Sequence, residues 1–180
     1  WSLRPSLLYP AEMHARLDEP LHPVAKTAIM CWTAHFIKRE FESYFVHKFS
    51  HSTMPVKQLY INCTYYWSFG FAIGYPLAHP AFEAVAPSEL HVSIGLGIFI
   101  LCEVGNLICH IMLSNLRPPG TKERRIPRGF MFEYVVCPNY TFEIFAWVGF
   151  SIMTNLYLSW AFTAFGFYQM TEWAFKKHQN

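Results

Sequence analysis

The feature that most restricts the fold of this chain is a proline-free apolar run between residues 89 and 116. A helix of this length is longer than the roughly 30 Å hydrocarbon core of a bilayer, since each residue adds about 1.5 Å. Ser88 precedes the run as an expected N-cap. Proline cannot continue a helix, so the run ends at Arg117-Pro118-Pro119-Gly120. We therefore predict a membrane-spanning helix from Glu89 to about Leu116.

Four further stretches have the length and pattern of helices, namely 24–49, 56–77, 131–156 and 158–178. The second is rich in tyrosine and tryptophan, as segments at membrane interfaces are. Residues 1–23 contain four prolines and are expected to form a connector or an interfacial segment. The sequence predicts an all-α, polytopic integral-membrane helical bundle in residues 24–180.

The composition agrees with a surface that faces lipid. Apolar residues make up 53% of the chain and charged residues only 14%, whereas soluble surfaces are far richer in charge. A net charge of +2 is too small to predict nucleic-acid binding. The five cysteines occur singly, with no C-x-x-C, and are expected to be small core residues. The lipid bilayer is thus an expected partner, and nucleic acid is not.

Three polar residues share one face of the helix predicted at 89–116. Glu103, Asn106 and His110 are spaced i, i+3 and i+7. An ionisable group at bilayer depth costs at least about 2.5 to 3.5 kcal/mol, so this face should point into the bundle or a wet cavity. One polar residue could serve interhelical hydrogen bonding alone. Three aligned residues favour a functional site.

A second polar group follows Pro138 in the helix predicted at 131–156. Asn139 and Glu143 are four residues apart, and Tyr140 lies beside them. A proline inside a helix leaves backbone carbonyls without their helical hydrogen bonds, so these carbonyls need other partners. Broken helices at binding sites have the same property. A kink packed by neighbouring helices explains Pro138 alone equally well. The amide and carboxylate together favour a site.

The loop after the apolar run is strongly basic. It carries Lys122, Arg124, Arg125 and Arg128 against one acid, Glu123. The positive-inside rule predicts that this loop faces the cytosol. The same arginines could also bind an anion, because guanidinium groups match phosphate oxygens in a bidentate way. Both interpretations stay open at this point.

One histidine pair, His47-x-x-x-His51, resembles an element of the histidine clusters of membrane di-iron oxygenases. Such a centre needs several pairs, and the other histidines form no second pair at ligand spacing. The sequence therefore predicts no metal site.

Ordered blocks of sequence run from about His35 to the end of the chain. They are His35-Phe36-Ile37-Lys38-Arg39-Glu40, Phe45-Val46-His47-Lys48-Phe49-Ser50-His51, Thr53-Met54-Pro55, Asn62-Cys63-Thr64-Tyr65-Tyr66-Trp67, Gly105-Asn106, Leu116-Arg117-Pro118, Ile126-Pro127 and Cys137-Pro138-Asn139-Tyr140-Thr141-Phe142-Glu143. In this order they resemble the very-long-chain trans-2-enoyl-CoA reductases of the steroid 5α-reductase superfamily.

The resemblance implies a multi-pass enzyme of the endoplasmic reticulum membrane that acts beside other fatty-acid elongation enzymes. It would reduce the trans-2 double bond of long-chain or very-long-chain enoyl-CoA with NADPH, the last step of each elongation cycle. The family also has an N-terminal region and a C-terminal tail that this sequence lacks, so we expect a part of a longer protein.

The resemblance also implies roles for single residues. Tyr140 matches the proton donor, and Lys38 is placed with it as catalytic. Phe36 stands where the steroid-reducing members have a tyrosine for the ketone, which argues against a steroid substrate. The resemblance places His35, Phe36 and Arg39 on the substrate side. The positions matched to NADPH binding are Asn106, His110, Arg117, Arg124, Asn139 and Glu143.

Reduction of an enoyl thioester needs two kinds of help from the protein. Hydride addition at the β-carbon builds negative charge on the carbonyl oxygen and requires a proton at the α-carbon. Tyr140 is expected to give that proton, with Lys38 and Arg39 stabilising its phenolate. Two alternatives stay open. One is an isoprenylcysteine methyltransferase-like enzyme that binds S-adenosylmethionine, and the other is a catalytically silent paralogue that acts as a membrane scaffold.

Overall fold

The computed structural model describes residues 4–48, 53–85, 88–116 and 126–179. Within these ranges the chain is helical and has no strand, which confirms the all-α prediction. A π-helical turn, Glu42–Val46, extends the first long helix. The long helices are α1 (Pro23–Phe41), α2 (Val56–Ala78), α3 (Glu89–Asn115), α4 (Pro138–Thr154) and α5 (Tyr157–Gln179). Short 3-10 helices occur at Ser6–Leu8, Ala11–Arg16 and Phe130–Glu133.

Local sequence signals set where the helices begin. The Ser88 hydroxyl accepts a hydrogen bond from the backbone N–H of His91 at 3.4 Å, as the predicted N-cap of α3 should. Pro23 and Pro138 each occupy the first turn of a helix, where the missing N–H of proline leaves no hydrogen bond unmade. These starts therefore follow from the sequence without tertiary packing.

Two predicted helix boundaries were wrong. Pro138 does not kink a helix that began near Met131. It begins α4, because its fixed φ suits the first turn of a helix and its ring does not fit a helix interior. Earlier in the chain, Phe130–Glu133 form a short 3-10 helix. The helix predicted at 24–49 leaves α-geometry after Phe41 and closes in the π-turn, which ends at Val46.

The closest helix pair is α3 with α4. Gly95 and Gly149 face each other where the helices cross, and a Cβ added to either would lie 2.6 Å from the carbonyl oxygen of the other. Small residues permit this approach of two backbones. The indole of Trp147 on α4 then packs against rings of three other helices, Trp32, Phe99 and Phe162. The core therefore lies around α4.

A two-residue link joins α4 to α5. Asn155 adopts a left-handed conformation with φ 50°, which ends α4 and reverses the chain. Hydrogen bonds between hydroxyl groups then connect the two helices. The Ser151 and Thr163 oxygens are 2.9 Å apart, and the Thr154 and Ser159 oxygens are 3.0 Å apart. The result is an antiparallel hairpin that returns the end of α5 to the beginning of α4.

Large apolar side chains cover much of the outer surface. On α3, Leu101 is 70% exposed and Ile100 is 53% exposed. Among the described helices, α3 alone is long and apolar enough to cross a membrane. A membrane-spanning α3 is thus supported by length and composition, and the polytopic arrangement stays a prediction.

Candidate active site

A row of charged side chains joins α1 to α3. His35 Nδ1 lies 2.7 Å from Glu103 Oε1, and Lys38 Nζ lies 2.7 Å from Glu103 Oε2. Lys38 also donates a hydrogen bond to Asn106 Oδ1 at 2.7 Å. These groups are largely out of water, where an ion pair needs close geometry and further hydrogen bonds to be tolerated. The polar face of α3 therefore points into the bundle, as predicted.

Glu42 in the π-turn forms a second charged contact with α3. Its side chain is completely buried, and Oε2 accepts a hydrogen bond from Arg39 Nη1 at 2.7 Å. The same oxygen lies 3.0 Å from His110 Nδ1. Burial would raise the pKa of Glu42, but the hydrogen bond to His110 and the neighbouring basic groups His110, Lys38 and Arg39 hold that pKa below its ordinary value. Glu42 is therefore a fixed negative charge between two basic groups.

His47 follows the π-turn directly and lies against α3. Its backbone N–H donates to the Glu42 carbonyl at 2.7 Å, and its ring centroid is 4.9 Å from that of His110. Burial, and then the nearby charges of His110 and Arg39, lower the pKa of His47 and favour its neutral form. The Ser114 hydroxyl donates to the carbonyl of the last residue of the turn. The π-turn is thus held on the last turns of α3.

The side chain of Asn106 joins three helices. Its Nδ2 donates to the backbone oxygen of Asn139 at 2.9 Å and to Glu143 Oε2 at 3.3 Å, both on α4. Its Oδ1 accepts from Lys38 of α1. Only 1% of Asn106 is exposed, so these bonds fix which way the amide points. Asn106 therefore sets the position of the first turn of α4 relative to α1 and α3.

Tyr140 lies in that first turn and is partly exposed. Lys177 Nζ lies 4.6 Å from its ring centroid, and the ring of Trp173 is 6.1 Å away. A cation over the ring face is attracted to the π-electrons and would also stabilise a phenolate. The sequence assigned this role to Lys38 or Arg39, and the ammonium of Lys38 is instead bound to α3. Within the described ranges, Lys177 is the cation that contacts Tyr140.

Several of these residues line a cavity of about 970 Å³. That volume is at the upper end of the usual range for small-molecule and cofactor sites, roughly 300 to 1,000 Å³. Apolar side chains from the segment before α4 form one wall. The polar and charged lining is Arg39, His47, Lys48, His110, Ser114, Glu133, Tyr134, Asn139, Tyr140, Glu143 and Lys177.

The structure brings most of the predicted site residues to one place. Behind the cavity wall lie His35, Lys38 and Asn106, whose contacts hold the lining in position. Phe36 is set apart in an aromatic cluster, with its ring 5.2 Å from Trp32. The described ranges do not include Arg117, Arg124, most of the basic loop or His51. The site residues exposed to the cavity are Arg39, His110, Asn139, Tyr140 and Glu143.

Several residues of the site were not predicted, among them His47, Glu42 and Lys177. Glu42 follows Lys38 and Arg39 at i+4 and i+3, a spacing at which helical side chains pair, so a signal was present in the sequence. In the sequence, Lys177 was interpreted as one of the basic residues that commonly occur in the last turn of a helix. Its contact with Tyr140 depends on the α4–α5 hairpin, and no local pattern indicates that contact.

A helical domain with an apolar surface, whose buried charges converge on a polar cavity beside a tyrosine, has the features of a membrane enzyme. The comparison with known families supports this class. The family model described as 3-oxo-5-alpha-steroid 4-dehydrogenase matches residues 52–180, and the chain belongs to that family.

Several curated relatives are similar to most of this chain. The very-long-chain enoyl-CoA reductase of Dictyostelium discoideum is 50% identical over 163 residues, covering 91% of this chain and 54% of that protein. A Caenorhabditis elegans protein named probable very-long-chain enoyl-CoA reductase art-1 is 44% identical, over 99% of this chain and 59% of its own. The human trans-2,3-enoyl-CoA reductase-like protein is 35% identical, over 88% of this chain and 45% of its own length. The chain thus spans about half the length of these relatives.

Proposed function

We propose that residues 24–180 form the membrane-embedded reductase domain of an NADPH-dependent very-long-chain enoyl-CoA reductase, with residues 1–23 as a connector. The reaction is reduction of the trans-2 double bond of long-chain or very-long-chain enoyl-CoA, the last step of the fatty-acid elongation cycle. The observation that carries this proposal is the common cavity of Tyr140, Asn139 and Glu143 on α4 with Arg39 and His110, in a chain whose relatives are named enoyl-CoA reductases.

A reduced nicotinamide cofactor, which membership of a reductase family implies, fits the groups that line the cavity. Arg39 and His110 offer nitrogen donors suited to phosphate oxygens. Asn139 and Glu143 offer an amide and a carboxylate for the uncharged polar parts of a nucleotide. Asn106 holds these two α4 residues in place. We assign NADPH to His110, Asn139, Glu143 and Asn106, together with Arg117 and Arg124, and keep Arg39 for the substrate.

The chemistry assigned to the protein is proton transfer and charge stabilisation. When bound, the reduced nicotinamide supplies a hydride for the β-carbon of the thioester. Tyr140 holds the proton that the α-carbon requires, and Lys177 stabilises the phenolate left behind. Lys38 acts by holding Asn106, so its proposed contribution is to position the site.

The acyl-CoA substrate is assigned to the α1 side of the cavity. Arg39 lines the cavity and can contact the phosphates of CoA. His35 and Phe36 lie one turn earlier on α1, where Phe36 joins an aromatic cluster with Trp32 and Trp147. Those apolar rings suit an acyl chain better than a polar head group.

The proposed location is the endoplasmic reticulum membrane, which the chain crosses several times beside other elongation enzymes. The apolar surface and the spanning length of α3 support a bilayer location. The basic loop at 117–128 is placed on the cytosolic side, where positive charge accumulates.

Two other activities predict different results. An isoprenylcysteine methyltransferase-like enzyme would bind S-adenosylmethionine, but the relatives named here are reductases. A catalytically silent scaffold would lack turnover with every acyl chain. The presence of Tyr140 beside a cation favours an active enzyme.

The test is NADPH oxidation by the purified full-length protein with a long trans-2-enoyl-CoA. Replacing Tyr140 by Phe keeps the ring and removes the hydroxyl, so turnover should fall about 10²- to 10⁴-fold while NADPH affinity stays the same. Tyr157→Phe is the matched control, since that tyrosine is 94% exposed at the start of α5. It should leave turnover unchanged.

Three outcomes would contradict the proposal. Saturable binding of S-adenosylmethionine without NADPH binding would indicate a methyltransferase. Cofactor binding without turnover on any enoyl-CoA would indicate a silent paralogue. A Tyr140→Phe variant with normal thermal stability and near wild-type turnover would remove the proton-donor assignment.

A further inference from the structure

We propose that Glu42, His47 and His110 form a binding site for a first-row divalent cation of the zinc type. One potential ligand atom from each residue lies within 4.8 Å of the other two. The residues come from three places, the π-turn, the position directly after it and the end of α3. Because His110 is more than 60 residues from the other two, the His47-x-x-x-His51 spacing gave no indication of this site.

The donor set suits zinc in particular. Two imidazole nitrogens and one carboxylate oxygen are typical of zinc sites that have three protein ligands and an open fourth position. Both histidines line the large cavity, so the open position would face that cavity. A water molecule or an anionic group in the cavity could complete the coordination.

An independent observation comes from the carboxylate itself. Glu42 is 0% exposed, yet within the described part of the chain its Oε1 accepts no hydrogen bond. The ammonium of Lys38 forms an ion pair with this oxygen at 3.6 Å, beyond hydrogen-bond distance, and donates a hydrogen bond to Asn106. A buried carboxylate oxygen whose only partner is a long ion pair is incompletely stabilised. A cation at this oxygen would remove that cost.

The main competitor for the site is Arg39. Its Nη1 lies 2.7 Å from Glu42 Oε2 and 3.2 Å from His110 Nδ1, so it occupies part of the space that an ion would need. Its side chain is 32% exposed and lies at the cavity, which leaves room for the guanidinium to turn outward. We infer that an ion and the guanidinium exclude each other at this carboxylate.

This competition has a consequence that rests on the proposed function. His110 is assigned to the cofactor, so an ion bound to its ring nitrogen would occupy a donor that the cofactor needs. Bound metal should then weaken NADPH binding. The metal site itself does not depend on that assignment, and the two ideas can fail separately.

The test is Zn²⁺ binding by the purified full-length protein in detergent, measured by competition with a chromophoric zinc indicator. One equivalent should bind, and Co²⁺ in its place should give the visible absorption of a four-coordinate ion. Replacing His47 or His110 by Ala should weaken binding by about 100-fold or more, since even supporting residues outside the ligand set are worth 10- to 100-fold. His91→Ala is the matched control, because His91 lies at the opposite end of α3 beside Ser88.

A variant that should bind Zn²⁺ more tightly separates loss of a ligand from loss of folding. Arg39→Gln removes the competing guanidinium and should tighten Zn²⁺ binding about tenfold, whereas a variant that damages the fold would bind more weakly. Zn²⁺ binding that is equal in wild type, His47→Ala and His110→Ala would overturn the proposal. So would the absence of stoichiometric binding in both wild type and Arg39→Gln.

Discussion

The close crossing of α3 and α4 predicts a specific effect of adding one methyl group. In Gly95→Ala the new Cβ would lie 2.6 Å from both the Gly149 oxygen and the Met153 nitrogen. Ordinary contacts begin at 3.4 Å, and both neighbouring atoms are backbone, so neither can rotate away. The two helices must therefore move apart by most of an ångström.

The expected magnitude follows from two opposing terms. Overpacking of a close-packed core costs about 1 to 3 kcal/mol, and an immobile backbone places this site at the upper end. Alanine in place of glycine favours the helix by about 0.8 to 1 kcal/mol. The net loss should be about 2 kcal/mol in the free energy of unfolding.

Gly97 on the same helix provides the matched control. A Cβ at that position meets nothing within 4 Å, so Gly97→Ala should stabilise α3 by up to about 1 kcal/mol. The two variants should differ by about 3 kcal/mol, so Gly95→Ala should have the lower Tm of the two.

The assay is thermal unfolding of both variants of the full-length protein in the same detergent, together with nucleotide affinity. Separation of α3 from α4 should also lengthen the hydrogen bond from Asn106 to Asn139, now 2.9 Å, so Gly95→Ala should bind NADPH more weakly. Equal Tm values for Gly95→Ala and Gly97→Ala would refute the reasoning about the helix crossing.

Three further predictions concern the site. Replacing Lys177 by Gln should lower turnover about 2- to 30-fold, the value of a cation at a ring face. The control Lys176→Gln, whose side chain pairs with Glu172, should have no effect, and equal rates in both variants would exclude the contact with Tyr140. Burial raises the pKa of Cys137, and Lys177 partly offsets this. Alkylation of Cys137 should therefore be slow at neutral pH and slower still in Lys177→Gln, and a faster reaction in that variant would contradict this sign. In the basic loop, Arg117→Ala should weaken NADPH binding by about 1.5 to 3 kcal/mol in equilibrium titration, and unchanged affinity would remove Arg117 from the site.

The helices themselves were largely predictable from the sequence. The apolar run and Ser88 fixed α3 to within a residue at each end, because a span and its cap depend on local properties. The polar face of α3 was also predictable, since charged groups in an apolar helix must find partners. Both signals are contained within one helix.

The features that were missed depend on contacts between helices. Pro138 is compatible with either a kink or a helix start, and only the preceding 3-10 turn decides between them. The π-turn has no reliable sequence pattern, although the spacing of Lys38, Arg39 and Glu42 could have indicated an ion pair. Lys177 reaches Tyr140 only because Asn155 reverses the chain.

The π-turn at Glu42–Val46 also bears on how insertions and deletions change this protein. A π-turn accommodates one residue more than a regular α-helical turn and is frequent at functional sites. A relative that lacked one residue here would continue as an ordinary helix, and everything beyond the turn would rotate by about 100°. Glu42 and His47 could then no longer both face α3. The number of residues in this turn should therefore show which relatives keep Glu42 and His47 against α3. It should be a better guide than the identity of any one residue.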